Sequence, residues 1–131
     1  MTQSSASRAP VIRGTILAES IKPGARFDGH GMRIISWARY EVNDTAEYQP
    51  PIWTAIEFEA PADCGDALAA DLSEALLLPS WYANWTSDAS ATVVFPGRIF
   101  RYPRGERAGR DEAQEFGRRC GVPEHQLDWT D

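Results

Sequence analysis

Cysteines and long apolar segments are scarce in this chain. Its 131 residues contain two cysteines, Cys64 and Cys120, too few for the disulfide framework of a small secreted domain. No apolar run approaches the ~20 residues that a membrane-spanning helix needs. Residues 1–10 are polar and lack the apolar core of a signal peptide. We therefore expect a cytoplasmic protein with reduced thiols, a disordered tail over residues 1–10 and a single domain over residues 11–131.

Recognisable catalytic and metal-binding motifs are also missing. The chain contains no G-x-S-x-G, H-E-x-x-H, P-loop or G-x-G-x-x-G sequence. Its two histidines, His30 and His125, have no second ligand at a metal-binding spacing. The sequence therefore gives no reason to assign a catalytic residue, a metal ligand or a cofactor, and it favours a binding protein over an enzyme.

Lysine is nearly absent, and Lys22 is the only one. The formal net charge of −6 argues against general nucleic-acid affinity, because a polyanion binds basic surfaces. The charge is unevenly distributed, however, since residues 98–119 contain seven arginines. Nucleic-acid binding through that segment is therefore kept as a second alternative function.

What the chain does contain is a regular series of strand and helix patterns. Alternating or β-branched apolar residues predict strands over residues 11–21, 32–42, 52–59, 81–86, 91–95 and 98–102. Helical spacing predicts one helix from an N-cap at Asp63 to Pro79, and a second over residues 110–120 that ends at Gly121. The order β-β-β-α-β-β-β-α indicates an α+β protein, an antiparallel sheet of about six strands with two helices packed on it.

Three further expectations concern single elements. In residues 32–42 apolar side chains fall on both faces, which predicts a strand that is central or covered on both sides. The Pro96-Gly97 pair predicts a type II turn between the last two strands. The two β-β-β-α halves hint at an internal duplication, although no residue-level repeat accompanies it.

Aromatic residues and arginines concentrate in residues 81–104, WYANWTSDASATVVFPGRIFRYPR. Because Trp, Tyr and Arg dominate the binding energy of protein interfaces, this segment predicts a surface for a protein partner or for a second copy of the chain. The candidate binding residues on it and on a neighbouring strand are Trp53, Glu57, Tyr82, Trp85, Arg98, Arg101 and Arg104. A core hairpin with a charged outer face is the structural alternative.

The first alternative function is a small enzyme or binding protein for an anionic small molecule, held in a cleft between sheet and helices. There Arg98 or Arg101 would orient the anion and Glu57 could act as general base. The strand spacing of the two arginines predicts that they point to opposite sides of the hairpin. Solvation, or pairing with the protein's own carboxylates, explains these side chains without a ligand.

Three motifs in the second half, WYANW, VVFPGRIFRYPRG and GVPEHQLDW, resemble those of a family of small uncharacterised bacterial proteins. The resemblance covers residues 81–131. It implies no activity, cofactor or partner, and it neither supports nor excludes an enzyme.

Overall fold

The computed structural model describes residues 9–79 and 81–131. It contains two helices, α1 (Gly65–Ala75) and α2 (Arg107–Cys120), and short 3-10 helices at Ala18–Ser20, Ala62–Cys64 and Glu124–Gln126. The strands are β1 (Val11–Leu17), β2 (Arg33–Glu41), β3 (Ile52–Pro61), β4 (Ala83–Thr86), β5 (Ser90–Phe95) and β6 (Arg98–Pro103). The predicted α+β class is therefore confirmed. Residues 1–8 of the predicted tail lie outside the described residues.

The six strands form one antiparallel sheet in the order β2-β3-β1-β4-β5-β6. The central strand β1 pairs with β3 on one side and with β4 on the other. Its ladder with β4 is short and joins Arg13 to Thr86, Gly14 to Trp85 and Thr15 to Asn84. The two halves of the chain do not share a topology, because β1 neighbours β3 in the first half whereas β4 neighbours β5 in the second. The strand order in the first half therefore differs from that in the second half, whereas an internal duplication would repeat it.

Helices α1 and α2 cover opposite faces of the sheet, here called the α1 face and the α2 face. On the α1 face, Leu68 and Leu72 of α1 pack with a buried cluster that includes Phe58 and Trp85. On the α2 face, Ala113 of α2 belongs to a second buried cluster. Strand β5 serves both clusters, because Val94 belongs to the first and Val93 and Phe95 to the second. Residues of β5 are therefore covered on both sides.

The helix ends differ in detail from those predicted. Helix α1 begins at Gly65 rather than at an Asp63 cap, and no side chain caps its N-terminus. It ends four residues before Pro79, because Leu76 adopts an extended backbone conformation and forms an isolated β-bridge with Ile21. Helix α2 begins at Arg107, earlier than predicted, and ends as predicted at Gly121, whose φ is 101°. Neither helix of the described chain is long and apolar enough to cross a membrane.

The prediction that residues 32–42 form a strand that is central or covered on both sides is wrong. Strand β2 lies at the edge of the sheet, and all nine of its residues are exposed. The reason is the order of the strands. Strand β3 pairs with β2 on one side and with β1 on the other, and no other strand of the described chain pairs with β2. A β-bulge interrupts its pairing with β3 between Ile34 and Ser36.

Candidate functional site

A pocket of about 350 Å³ opens on the α2 face, between the sheet and the segment that follows α2. This volume falls within the range of ~300–1,000 Å³ that is usual for sites of small organic ligands. Strands β1, β2 and β3 and residues 81–84 contribute one side of the pocket, and residues 122–128 contribute the other. The pocket lies beside the part of the α2 face that helix α2 covers.

Two polar side chains on the sheet, Thr15 and Asn84, lie directly opposite each other in the ladder between β1 and β4. Directly paired residues of neighbouring strands project from the same face, so both side chains reach the pocket together. In residues 9–79 and 81–131 neither the Thr15 hydroxyl nor the Asn84 amide has a hydrogen-bond partner. The floor of the pocket, where Thr15 is exposed and Asn84 half-buried, thus offers donors and acceptors to a ligand.

Four aromatic side chains line the pocket: Tyr40, Trp53, Trp81 and Tyr82. The rings of Trp53 and Trp81 meet edge to face with centroids 5.3 Å apart. The Trp53 indole also donates a 2.9 Å hydrogen bond to the Pro50 carbonyl, which fixes its orientation. Burial raises the pKa of Tyr82, and the nearby Asp128 carboxylate raises it further, so this phenol stays neutral at physiological pH.

Residues 122–128, which form the side of the pocket opposite the sheet, are attached to the rest of the protein by hydrogen bonds between two side-chain amides. Gln49 donates to Gln126 over 2.9 Å and Gln126 donates back over 2.8 Å. Gln49 also accepts a 2.9 Å hydrogen bond from the backbone N–H of Ala46. The Tyr82 hydroxyl donates to the carbonyl of Gln126. These bonds fix residues 122–128 against both the loop before β3 and the sheet.

The pocket lacks positive charge. Among the described residues that line it, Asp128 is the only carboxylic acid, His125 is the only histidine, and none is an arginine or a lysine. The aromatic ring faces carry negative electrostatic potential as well. An anion would therefore find no fixed cation here, whereas a neutral or cationic group would be accepted.

Two of the residues predicted from the sequence, Trp53 and Tyr82, belong to this pocket. Glu57 lies on the same face, opposite Thr15 in the ladder between β1 and β3, but it does not line the pocket. The prediction that Trp85 binds a partner is wrong. Its side chain points to the α1 face and is only 2% exposed, so it is a core residue and cannot contact a partner.

The three predicted arginines do not converge on one site. Arg98 lies over the rings of Phe100 and Phe116 on the α2 face, at 4.6 and 5.6 Å from their centroids. Arg101 pairs with Asp66 at the start of α1, on the other face. The predicted opposite orientation of these two side chains is thereby confirmed. Arg104 donates to the carbonyl of Ser87 over 3.1 Å.

The aromatic side chains of residues 81–104 do not form the predicted exposed surface, although Arg98, Ile99, Arg101 and Pro103 of β6 are exposed. Besides Trp85, the residues Trp81, Phe95, Phe100 and Tyr102 are buried. The core-hairpin alternative describes this segment correctly. The anion cleft built on Glu57 with Arg98 or Arg101 is not formed either, since strands β1, β4 and β5 lie between β3, which carries Glu57, and β6, which carries both arginines.

The sequence reasoning missed Thr15, Asn84 and the Gln49–Gln126 pair. One local signal pointed to Asn84, because asparagine is depleted in strands and this one stands between Ala83 and Trp85, both buried. No comparable signal marks Thr15, which looks like any strand threonine. Among the described residues, no three His, Cys, Asp or Glu side chains lie close enough together to hold a metal ion.

Compared with known proteins, the chain matches no family model, no curated protein and no solved structure. The resemblance of residues 81–131 to a family of bacterial proteins therefore stays a prediction.

Proposed function

We propose that this protein binds a small organic molecule, neutral or cationic, in the pocket between the sheet and residues 122–128. The observation that carries the proposal is the pair of polar side chains, Thr15 and Asn84, which have no hydrogen-bond partner among the described residues and lie at the floor of a pocket lined with aromatic rings. Ligand sites combine mostly apolar walls with a few such polar groups that fix orientation.

The chemistry of the pocket limits the class of ligand. An asparagine amide offers two donors and one acceptor, and a threonine hydroxyl offers a donor and acceptors, so a ligand needs matching polar atoms on one edge. The aromatic walls favour a flat or apolar body. Because aromatic faces and the Asp128 carboxylate attract positive charge, a ligand amine is favoured over a carboxylate or phosphate.

The proposal is for binding and assigns no catalytic residue. We also propose a cytoplasmic location, which is supported by the two free thiols of Cys64 and Cys120.

The test is a thermal-shift screen of the purified protein against amines, nucleosides and polyols, with carboxylates and phosphates as the anionic set. A ligand that binds only the folded state raises the midpoint, by ~2.7 kcal/mol of stability at a hundredfold excess over its Kd. We expect hits among the neutral or cationic compounds. Quenching of the Trp53 and Trp81 fluorescence should then report binding directly.

Matched variants locate the site. Thr15→Val with Asn84→Leu removes the polar floor at nearly constant volume and should weaken the binding of any hit at least tenfold. Thr86→Val is the control, because Thr86 belongs to the same ladder as Thr15 and Asn84 but does not line the pocket. Undiminished binding to the double variant, or hits confined to anions, would refute the proposal.

A further inference from the structure

The two edges of the sheet differ in how they are protected against pairing with other chains. The β6 edge carries Arg98, Arg101 and Pro103, and charges and prolines are what natural proteins use to block an edge strand. The β2 edge also has charges, Arg39 and Glu41, and a bulge, but in addition it exposes several large apolar side chains. Ile34 is 55% exposed, Trp37 63% and Tyr40 49%. An edge strand of this length and composition is a ready template for another strand.

On its outer side, the backbone of β2 has hydrogen-bonding groups that no described residue pairs with. The N–H of Val42 donates to the Pro51 carbonyl over 2.8 Å, so Val42 turns its backbone groups towards the β3 side. Pairing with β3 is regular from Ser36 to Glu41, and backbone groups alternate in direction along an antiparallel strand. Trp37, Arg39 and Glu41 therefore direct their N–H and C=O groups away from the sheet.

The side chains of β2 also suit a strand with neighbours on both sides. Trp37 pairs with Ile56 and so projects on the α1 face, while Tyr40 pairs with Trp53 and projects on the α2 face. Apolar groups on both faces are the pattern of an interior strand. The chain itself leaves this strand at an edge.

We propose that two copies of the chain associate through β2, so that the two sheets become one continuous antiparallel sheet. A two-fold axis at Arg39 places the outward-facing residues opposite each other, Trp37 against Glu41 of the second copy. This register keeps α1 faces together and α2 faces together, and it uses only the part of β2 beyond the bulge.

The charges on β2 are self-complementary in this register. Each Arg39 lies diagonally beside Glu41 of the second copy, a spacing at which long side chains on neighbouring strands interact. The two Arg39 side chains need not repel each other strongly, because each donates to its own Thr54 over 3.1 Å, and Thr54 also binds the Glu19 carboxylate. This complementarity favours a second copy over a strand of another protein.

The experiment is a mass measurement in solution, by light scattering or sedimentation, over a range of protein concentrations. We expect the wild type to approach twice the mass of one chain as concentration rises. Trp37→Lys places a charge on the exposed apolar position, and Trp37→Pro removes an N–H that bonds nothing within the sheet. Both should remain at the mass of one chain.

Ile99→Lys is the matched control, because Ile99 is 41% exposed on β6, the opposite edge strand. It should associate like the wild type. Circular dichroism checks that each variant is folded, and the lysine variant tests the proposal even if the proline variant is not. A wild type that stays at the mass of one chain, a Trp37→Lys chain that still associates, or an Ile99→Lys chain that does not, would overturn the proposal.

Discussion

Gly14 determines how closely the central strands β1 and β4 approach each other. A Cβ atom at this position would lie 2.3 Å from the Asn84 carbonyl oxygen and 2.6 Å from the Cβ of Trp85. The first contact is with backbone, so the strands would have to separate. We predict that Gly14→Ala lowers the free energy of unfolding by about 1–3 kcal/mol, measured by urea denaturation.

Gly65 provides the control for this glycine. It is the first residue of α1, has a helical φ of −62°, and an added Cβ would be no closer than 3.7 Å to Ile12 or to Trp85. Gly65→Ala should be neutral or stabilise the protein by about 0.4–1 kcal/mol. Equal stability of Gly14→Ala and the wild type would mean that the two strands can separate at no cost.

Glu59 joins three strands on the open part of the α2 face. Its carboxylate accepts hydrogen bonds from Arg13 over 2.7 Å and from Arg33 over 2.8 Å. These bonds lower the pKa of Glu59 below its ordinary value of 4.5. A carboxylate whose folded pKa is lowered stabilises the protein above its unfolded pKa, and this contribution is lost as the pH falls through the folded pKa.

We therefore predict that Glu59→Gln is less stable than the wild type at neutral pH and that the difference disappears in strong acid. The melting temperatures of the variant and the wild type, measured from neutral to strongly acidic pH, give this difference in stability. In a background that carries Arg13→Gln and Arg33→Gln, the pH-dependent difference should vanish, because the charged partners are gone. A deficit of the same size at neutral and strongly acidic pH would show that the ion pairs are not its source.

At the level of whole elements, the loop before β3 and residues 122–128 depend on each other through Gln49 and Gln126. Gln49 is 7% exposed, so removing its partner leaves a buried amide unsatisfied. We predict that Gln126→Leu costs about 1–3 kcal/mol of stability. Adding Gln49→Leu should recover part of this loss, since two apolar groups need no hydrogen bond. Additive losses in urea denaturation of the two single variants and the double variant would contradict this coupling.

For the molecule as a whole, the unequal covering of the sheet determines where binding can occur. Strand β5 contributes to a buried cluster on each face, whereas the α2 face of β1 and β3 is only partly covered and all of β2 is exposed. Both surfaces proposed for binding lie in that less covered half. Tyr40 belongs to both, because it is a residue of β2 and also lines the pocket. The proposed association through β2 would therefore place the second copy of the chain next to the pocket.

The class of fold, the six strands and the two helices could be predicted because their signals are local. Alternation, the Pro96-Gly97 turn and the Gly121 stop each involve neighbouring residues, and Gly97 has the positive φ of 75° that a type II turn needs. Alternation identifies the two faces of a strand but not what covers them. That is why Trp85 was expected on a surface and β2 in the interior.

The pocket could not be predicted, because its parts are distant in the sequence. Thr15 and Asn84 meet only through the pairing of β1 with β4, and Gln126 reaches them from beyond α2. Nothing in the local sequence of these residues indicates which strands become neighbours. The separation of Arg98 from Arg101 was predictable since both belong to one strand.

The position of β1 has a consequence for the order in which the chain folds. Strand β1 precedes the other described strands in the sequence but pairs with β3 and β4 rather than with β2, so during synthesis it has no partner strand among them until β3 is made. Strands β4, β5 and β6 form a meander of close neighbours, and loops of that kind close at little entropic cost. The meander of β4, β5 and β6 is thus expected to form early once these strands are made, and β1 to be joined to it through β4 afterwards.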